Sequence, residues 1–205
     1  QREAGKVSQR NVTVGVLSYQ GSVEEHLHML EQIEGVTPLA VKTMEALEQV
    51  DGLILPGGES TTISKLLKLF HLHDPIKERI LAGMPVWGTC AGMILLAKEI
   101  VGEPAHFGVM DITVRRNAYG TQLDSFTQMA VVPEFSPEPI PLTFIRAPWI
   151  ERVNSEKVSV LCQLNDHIVA AKEGNMLVTS YHPELNEDLT THRYFVDLCR
   201  RTDWK

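Results

Sequence analysis

The sequence predicts an α/β fold: a three-layer, doubly wound, mostly parallel sheet with added antiparallel strands. Three observations predict it. Short apolar runs alternate with helix-spaced segments over residues 12–98, and strands that alternate with helices require right-handed crossovers and a parallel sheet. Beyond Gly102 the apolar runs follow one another without helices between them, as antiparallel strands do. Between the two patterns, MPVWGTCAGMILLAK at residues 84–98 sets a strand, a sharp turn and an apolar helix in direct succession.

Taken in order, residues 12–17 are a mostly apolar run, as a buried parallel strand should be. Ser18-Tyr19-Gln20-Gly21 is a loop, and Ser22 is placed to cap a helix over residues 23–32, with Glu24 and Glu25 favourably in its first turn. A second strand is expected at 38–41, a short helix at 44–49 and a third strand at 52–55. That strand ends in Pro56-Gly57-Gly58-Glu59-Ser60. Ser60 is then the expected cap of a helix over 61–70, where Ile63, Leu66, Leu67 and Phe70 recur at helical spacing. Asp74-Pro75 opens another helix toward Ala82. Strands are expected at 85–87, 112–115, 129–132, 142–146, 158–164, 167–171 and 176–180. Asn165-Asp166 and Glu173-Gly174-Asn175 serve as hairpin turns. A last helix covers 191–200, and the four prolines of 133–141 mark an exposed loop.

Length and composition narrow the function. The 205 residues suit one domain, expected over 11–205, with residues 1–10 as a tail. A net charge of −7 without a basic stripe does not suggest nucleic acid. No apolar run reaches membrane-spanning length, and the N-terminal residues lack a signal-peptide apolar region. Cys90, Cys162 and Cys199 form neither a zinc pattern nor a disulfide framework, so a reducing, cytoplasmic compartment is expected.

Gly88, Cys90 and Gly92 reproduce the G-x-S-x-G nucleophile elbow with sulfur for oxygen. At the start of a helix, the macrodipole and free N–H groups favour a thiolate. A cysteine nucleophile needs a base and the base an orienting group. His182 and Glu184, two residues apart after the last strand, supply both if the backbone there is extended. Gly57-Gly58, also after a strand, can aim a backbone N–H at an oxyanion. The N–H of Ala91, next to the nucleophile, is the second donor.

Pro-Gly-Gly-Glu-Ser-Thr-Thr at 56–62, Gly-Thr-Cys-Ala-Gly at 88–92 and His-Pro-Glu-Leu at 182–185 resemble the class I glutamine amidotransferases, whose flavodoxin-like architecture the predicted sheet matches. Gly15-Val16-Leu17 with Gln20-Gly21, Arg116-Asn117 with Gly120, Asp124-Ser125-Phe126, and Phe144-Ile145-Arg146-Ala147-Pro148 narrow the resemblance to the SNO family of glutaminase subunits of pyridoxal 5′-phosphate synthase. The resemblance implies hydrolysis of L-glutamine to glutamate and ammonia, with Cys90 as nucleophile, His182 as base, Glu184 as orienter, and Gly58 and Ala91 as oxyanion donors. It implies a substrate pocket of Gly58, Glu59, Ser60, Arg116, Ile145 and Arg146, no metal and no cofactor. The implied partner is a (β/α)8-barrel synthase subunit, with Gln20 and the first helix near the interface. Two other readings share the fold: the glutaminase of another synthase, such as the imidazole glycerol phosphate branch, and a non-catalytic regulatory subunit.

The pairs His26/His28 and His71/His73 cannot share a helix face at i,i+2 spacing and are read as surface histidines. Cys162 and Cys199 are read as core residues, and Trp87 and Trp149 as packing aromatics.

Overall fold

In the computed structural model, which describes residues 10–116 and 125–205, Val12–Leu17 forms β1. Its side chains divide between the two faces: Val12, Val14 and Val16 join one apolar cluster and Leu17 another. The chain continues as α1 (Val23–Glu31), β2 (Val36–Val41), α2 (Met44–Gln49), β3 (Gly52–Leu55), α3 (Ser60–Leu69), α4 (His73–Leu81), β4 (Val86–Thr89) and α5 (Ala91–Leu96). The second half comprises β5 (Ala97–Ile100), β6 (Met110–Arg115), β7 (Ser125–Ala130), β8 (Ile140–Ile145), β9 (Trp149–Val153), β10 (Val158–Leu164), β11 (His167–Glu173), β12 (Met176–Thr179) and α6 (Thr190–Arg201).

The main sheet runs β2-β1-β3-β4-β12-β11-β9-β6-β5, with β10 also on β11. From β2 to β12 every pairing is parallel. The added strands β9, β10 and β11 pair antiparallel, and β7 with β8 forms a separate ribbon. Leu47, Ile63, Leu67, Ile76, Ile80 and the residues of α5 cover one face of the sheet, while Val23 and Leu30 of α1 with Phe195 and Val196 of α6 cover the other. Period-2 alternation sorts β3 between them: Leu53 and Leu55 to the first, Ile54 to the second. This is the layered α/β sheet that the alternating pattern predicts.

The local differences have physical reasons. The cap of α3 is Glu59, not Ser60. The Glu59 carboxylate accepts from Thr62 N–H at 3.0 Å, and Ser60 is already helical and buried. The apolar run after Cys90 stays helical only to Leu96 and then extends as β5, because a continuous apolar run carries no period to separate helix from strand. The strand expected at 129–132 lies at Ser125–Ala130, a ribbon strand with Ser125, Thr127 and Met129 exposed and no residue fully buried, so it carries no apolar run. Only Ile150 of β9 is buried, so WIERV carries little strand signal. Asn165 and Asp166 form the hairpin turn expected between β10 and β11, with left-handed φ of 50° and 67°. Asn117, Gly120, Asp124 and residues 1–9 of the expected tail lie outside the described residues.

The elbow rests on close backbone contact. A Cβ at Gly92 would stand 2.1 Å from Leu55 O, and one at Gly88 would stand 2.5 Å from the Gly92 carbonyl. Both obstacles are backbone, so neither can swing aside. Gly92→Ala is expected to destabilise the fold by about 2–3 kcal/mol, the scale of overpacking a tight core. Gly174→Asn, at φ 58° with open space around it, should stay within about 1 kcal/mol of the parent. Urea denaturation of the three proteins tests the ordering.

Candidate active site

Three neighbouring parallel strands, β3, β4 and β12, end at one edge. Leu55 lies across from Gly88, and Thr89 across from Thr179. The glycine pair, Cys90 and His182 therefore leave the sheet side by side, at the carboxyl ends where α/β sites gather.

Cys90 sits in the bend with φ 53° and ψ −103°. A non-glycine residue holds that conformation only when its surroundings impose it. They do so here through both backbone groups. Cys90 N–H donates to Thr179 O at 2.8 Å, and Cys90 O accepts from Met93 and Ile94 at 3.0 and 3.3 Å. The thiol is buried, with Sγ 3.9 Å from Ile145 O at the end of the ribbon.

His182 N–H is anchored on Thr143 O at 2.8 Å, and its ring Nδ1 donates to Glu184 Oε2 at 2.9 Å. The segment is not extended as expected: Pro183–Leu185 is a 3-10 turn, and that turn brings the carboxylate back beneath the ring. Burial disfavours a charged His182, but hydrogen bonds to Cys90 and Glu184 outweigh it and raise the pKa to about 10. Burial also opposes ionisation of Glu184. The imidazoles of His26 and His182 and the Ser22 hydroxyl, 2.7 Å from Oε2, prevail and lower its pKa to about 2.

The glycine loop is wedged between these groups. A Cβ at Gly57 would lie 2.3 Å from His182 Cε1, and one at Gly58 2.5 Å from Gln20 Oε1. Gly57 O accepts from Ser22 N–H at 3.0 Å, and Glu59 N–H donates to Gln20 Oε1 at 2.7 Å. Across a trans peptide, N–H and C=O point opposite ways, so Gly58 N–H is turned away from Ser22. Ala91 opens α5, where its N–H has no partner within the helix.

Of the expected substrate residues, Glu59 and Arg116 meet, Arg116 Nη1 donating to Glu59 Oε1 at 3.1 Å. Ile145 joins Cys90 through its carbonyl, and Arg146 follows it, exposed at φ 45°. Gly58 is exposed above α3, while Ser60 is buried with no partner for Oγ among the described residues.

Sequence reasoning missed four neighbours. Ser22 does not cap α1 with its side chain but bonds Glu184. Glu103 grips Arg116 Nε and Nη2 at 2.7 and 2.9 Å, and that grip holds the Glu103 carboxyl below its usual range. His26 is fully buried, not a surface residue, and so is its partner His192. Helical spacing contains the signal: His26 shares the stripe of Val23 and Leu30, and His192 that of Phe195, Val196 and Cys199. His73 is also largely covered, stacked on Phe107 and bonded to Asp74 at 2.8 Å. Among the described residues no group of three or more His, Cys, Asp or Glu is arranged to hold a metal, and no helix is long and apolar enough to cross a membrane.

Comparison with known proteins gives a consistent picture. The profile of the SNO glutamine amidotransferase family matches residues 16–201. The pyridoxal 5′-phosphate synthase subunit PdxT of Clostridium botulinum (strain Loch Maree / Type A3) is 57% identical over 187 residues, covering 91% of this chain and 96% of that protein. Its namesake in Haemophilus influenzae (strain PittEE) is 50% identical over 192 residues, covering 91% and 98%. A crystal structure of a glutamine amidotransferase superposes with a TM-score of 0.83 at 42% identity, covering 91% and 98% of the two chains.

The two shifted groups give opposite pH dependences. The folded pKa of His182 lies above the unfolded value of 6.5, so its contribution to stability is full below pH 6.5 and is lost as pH rises toward 10. For Glu184 the folded value lies below 4.5, so its contribution is full above pH 4.5 and is lost as pH falls toward 2. The stability gap between wild type and His182→Asn should therefore be widest at pH 5–6 and narrow steadily to pH 10. Urea unfolding at fixed pH values measures it, and a gap that stays constant contradicts the assignment.

Proposed function

The chain belongs to the SNO glutamine amidotransferase family, and from that premise we propose that it is the glutaminase subunit of a pyridoxal 5′-phosphate synthase. The observation that carries the reading is the meeting of Cys90, His182 and Glu184 at the ends of adjacent strands, with Nδ1 of His182 2.9 Å from Glu184.

The Cys90 thiolate attacks the side-chain amide carbon of L-glutamine. The carbonyl electrons move onto oxygen, which the N–H groups of Gly58 and Ala91 stabilise. Protonated His182 passes its proton to the amide nitrogen; the C–N bond breaks and ammonia leaves a thioester on Cys90. Water then attacks the thioester carbon and His182 takes its proton. The C–S bond breaks, releasing glutamate and restoring the starting pair. Glu184 holds the ring throughout with Nδ1–H as donor and Nε2 toward the sulfur.

Arg116 suits the substrate α-carboxylate and Glu59 its α-ammonium. Among the described residues Glu103 takes Nε–H and one Nη2–H, and Glu59 takes one Nη1–H, leaving one N–H on each terminal nitrogen for the substrate. Ser60, Ile145 and Arg146 complete the pocket. Ammonia passes to a synthase subunit, a (β/α)8 barrel in this reading, that docks near Gln20 and α1. The compartment is the cytoplasm.

Mixed with a pyridoxal 5′-phosphate synthase subunit, the protein should release glutamate from glutamine, and Cys90→Ala should lower that rate by at least roughly 10³-fold while keeping the complex. A response only to an imidazole glycerol phosphate partner would overturn the assignment. Arg116→Met should raise KM for glutamine about tenfold or more with a smaller change in kcat, since it removes ground-state binding. Coupled glutamate assays on the complex read both.

A further inference from the structure

Two buried imidazoles stand behind the triad and take no part in the steps above. His26 of α1 and His192 of α6 are each wholly inaccessible, and His26 Nδ1 lies 2.8 Å from His192 Nε2. On its other side, His26 Nε2 lies 3.5 Å from Glu184 Oε2, the oxygen that already accepts from His182 and Ser22; the approach is within ion-pair range but is not a hydrogen bond, and among the described residues Nε2 has no hydrogen-bond partner. Trp87 walls both rings edge-on, with centroids 5.6 Å from His26 and 4.7 Å from His192. The charged groups facing the pair are Glu184 and, beyond it, His182. Burial, the largest influence on each, pulls both imidazoles below the usual range, so both are neutral near pH 7.

The neighbours fix the tautomers. A neutral His26 carries one ring proton. On Nδ1, it would leave the Nε2 lone pair facing an anionic oxygen. On Nε2, it faces that oxygen with an N–H and leaves Nδ1 to accept from His192. His192 then carries its proton on Nε2, and its bare Nδ1, which has no partner among the described residues, strands no donor. One orientation therefore runs through the row, from His192 to His26 to Glu184.

We propose that His26, held in its tautomer by His192, is a positioning residue: the positive end of its Nε2–H, 3.5 Å from Oε2 and outside hydrogen-bond geometry, favours the Glu184 carboxylate as an anion turned toward His182 and so keeps the base aimed at Cys90. This rests on the triad assigned above. A buried carboxylate is stable only when its lone pairs are met. Among the described residues, Oε1 of Glu184 has no partner. The orientation of the group therefore depends on what gathers at Oε2, and His26, with Ser22 at the start of the same helix, is supplied by an element that the triad itself does not use.

The test compares His26→Leu, His26→Gln and His192→Leu. The His182 ring titration is followed by nitrogen NMR in the chain itself, and kcat and KM are measured in the complex with the synthase subunit. His26→Leu should lower the His182 titration midpoint and reduce kcat about tenfold, a fraction of the 10²–10⁴ that a positioned base supplies, with KM within about twofold. His26→Gln, whose amide N–H replaces the lost donor, should restore most of both. Where His26→Leu does not fold, His192→Leu carries the test, with a shift in the same direction. An unmoved His182 midpoint in folded His26→Leu or His192→Leu, or an equal loss in the Leu and Gln variants at residue 26, overturns the proposal. Failure of the triad assignment itself shows separately, as turnover retained by Cys90→Ala, and leaves the NMR result readable.

Discussion

One carboxylate oxygen, Oε2 of Glu184, holds the site together. It accepts from Ser22 at the start of α1 and from His182 in its own turn, and it lies against His26 from the middle of α1. These groups come from opposite ends of the chain, 162 residues apart for Ser22 and Glu184. An ionised carboxylate buried this deeply is unfavourable unless several donors converge on it. Convergence on one atom fixes where α1 starts, how the 3-10 turn folds back and which way the His182 ring faces.

The sheet makes the convergence possible. The parallel run β3, β4, β12 places two segments far apart in sequence on either side of the Cys90 strand. Backbone-to-backbone contacts at Gly88 and Gly92 let α5 approach β3 closely enough to hold Cys90 in its strained bend. The antiparallel additions serve the site too: the ribbon β7–β8 supplies the Thr143 carbonyl that anchors His182 and the Ile145 carbonyl beside the sulfur.

Much of this was legible in the residues, and the exceptions share a cause. The first-half elements, the elbow and the spacing of His182 and Glu184 follow from local pattern, because glycine, apolar period and turn chemistry act over a few residues. His26 did not. That i,i+2 histidines cannot share a helix face is correct, but it leaves open that one of them faces inward, and the stripe of Val23 and Leu30 says which. Ser22 and Glu103 were illegible for another reason: their partners lie 162 and 13 residues away, and no local pattern announces either bond. Strand β9, with one buried residue, and β5, inside an unbroken apolar run, show the same limit for elements.

Ser22 deserves a last consequence. Its N–H holds Gly57 O and its hydroxyl holds Glu184, so one residue grips both the glycine loop and the carboxylate beneath the His182 ring. The two halves of the machinery cannot drift independently. A slide of the first helix by an ångström strains both bonds at once, which makes that helix a lever with two short arms and its outer end the natural handle.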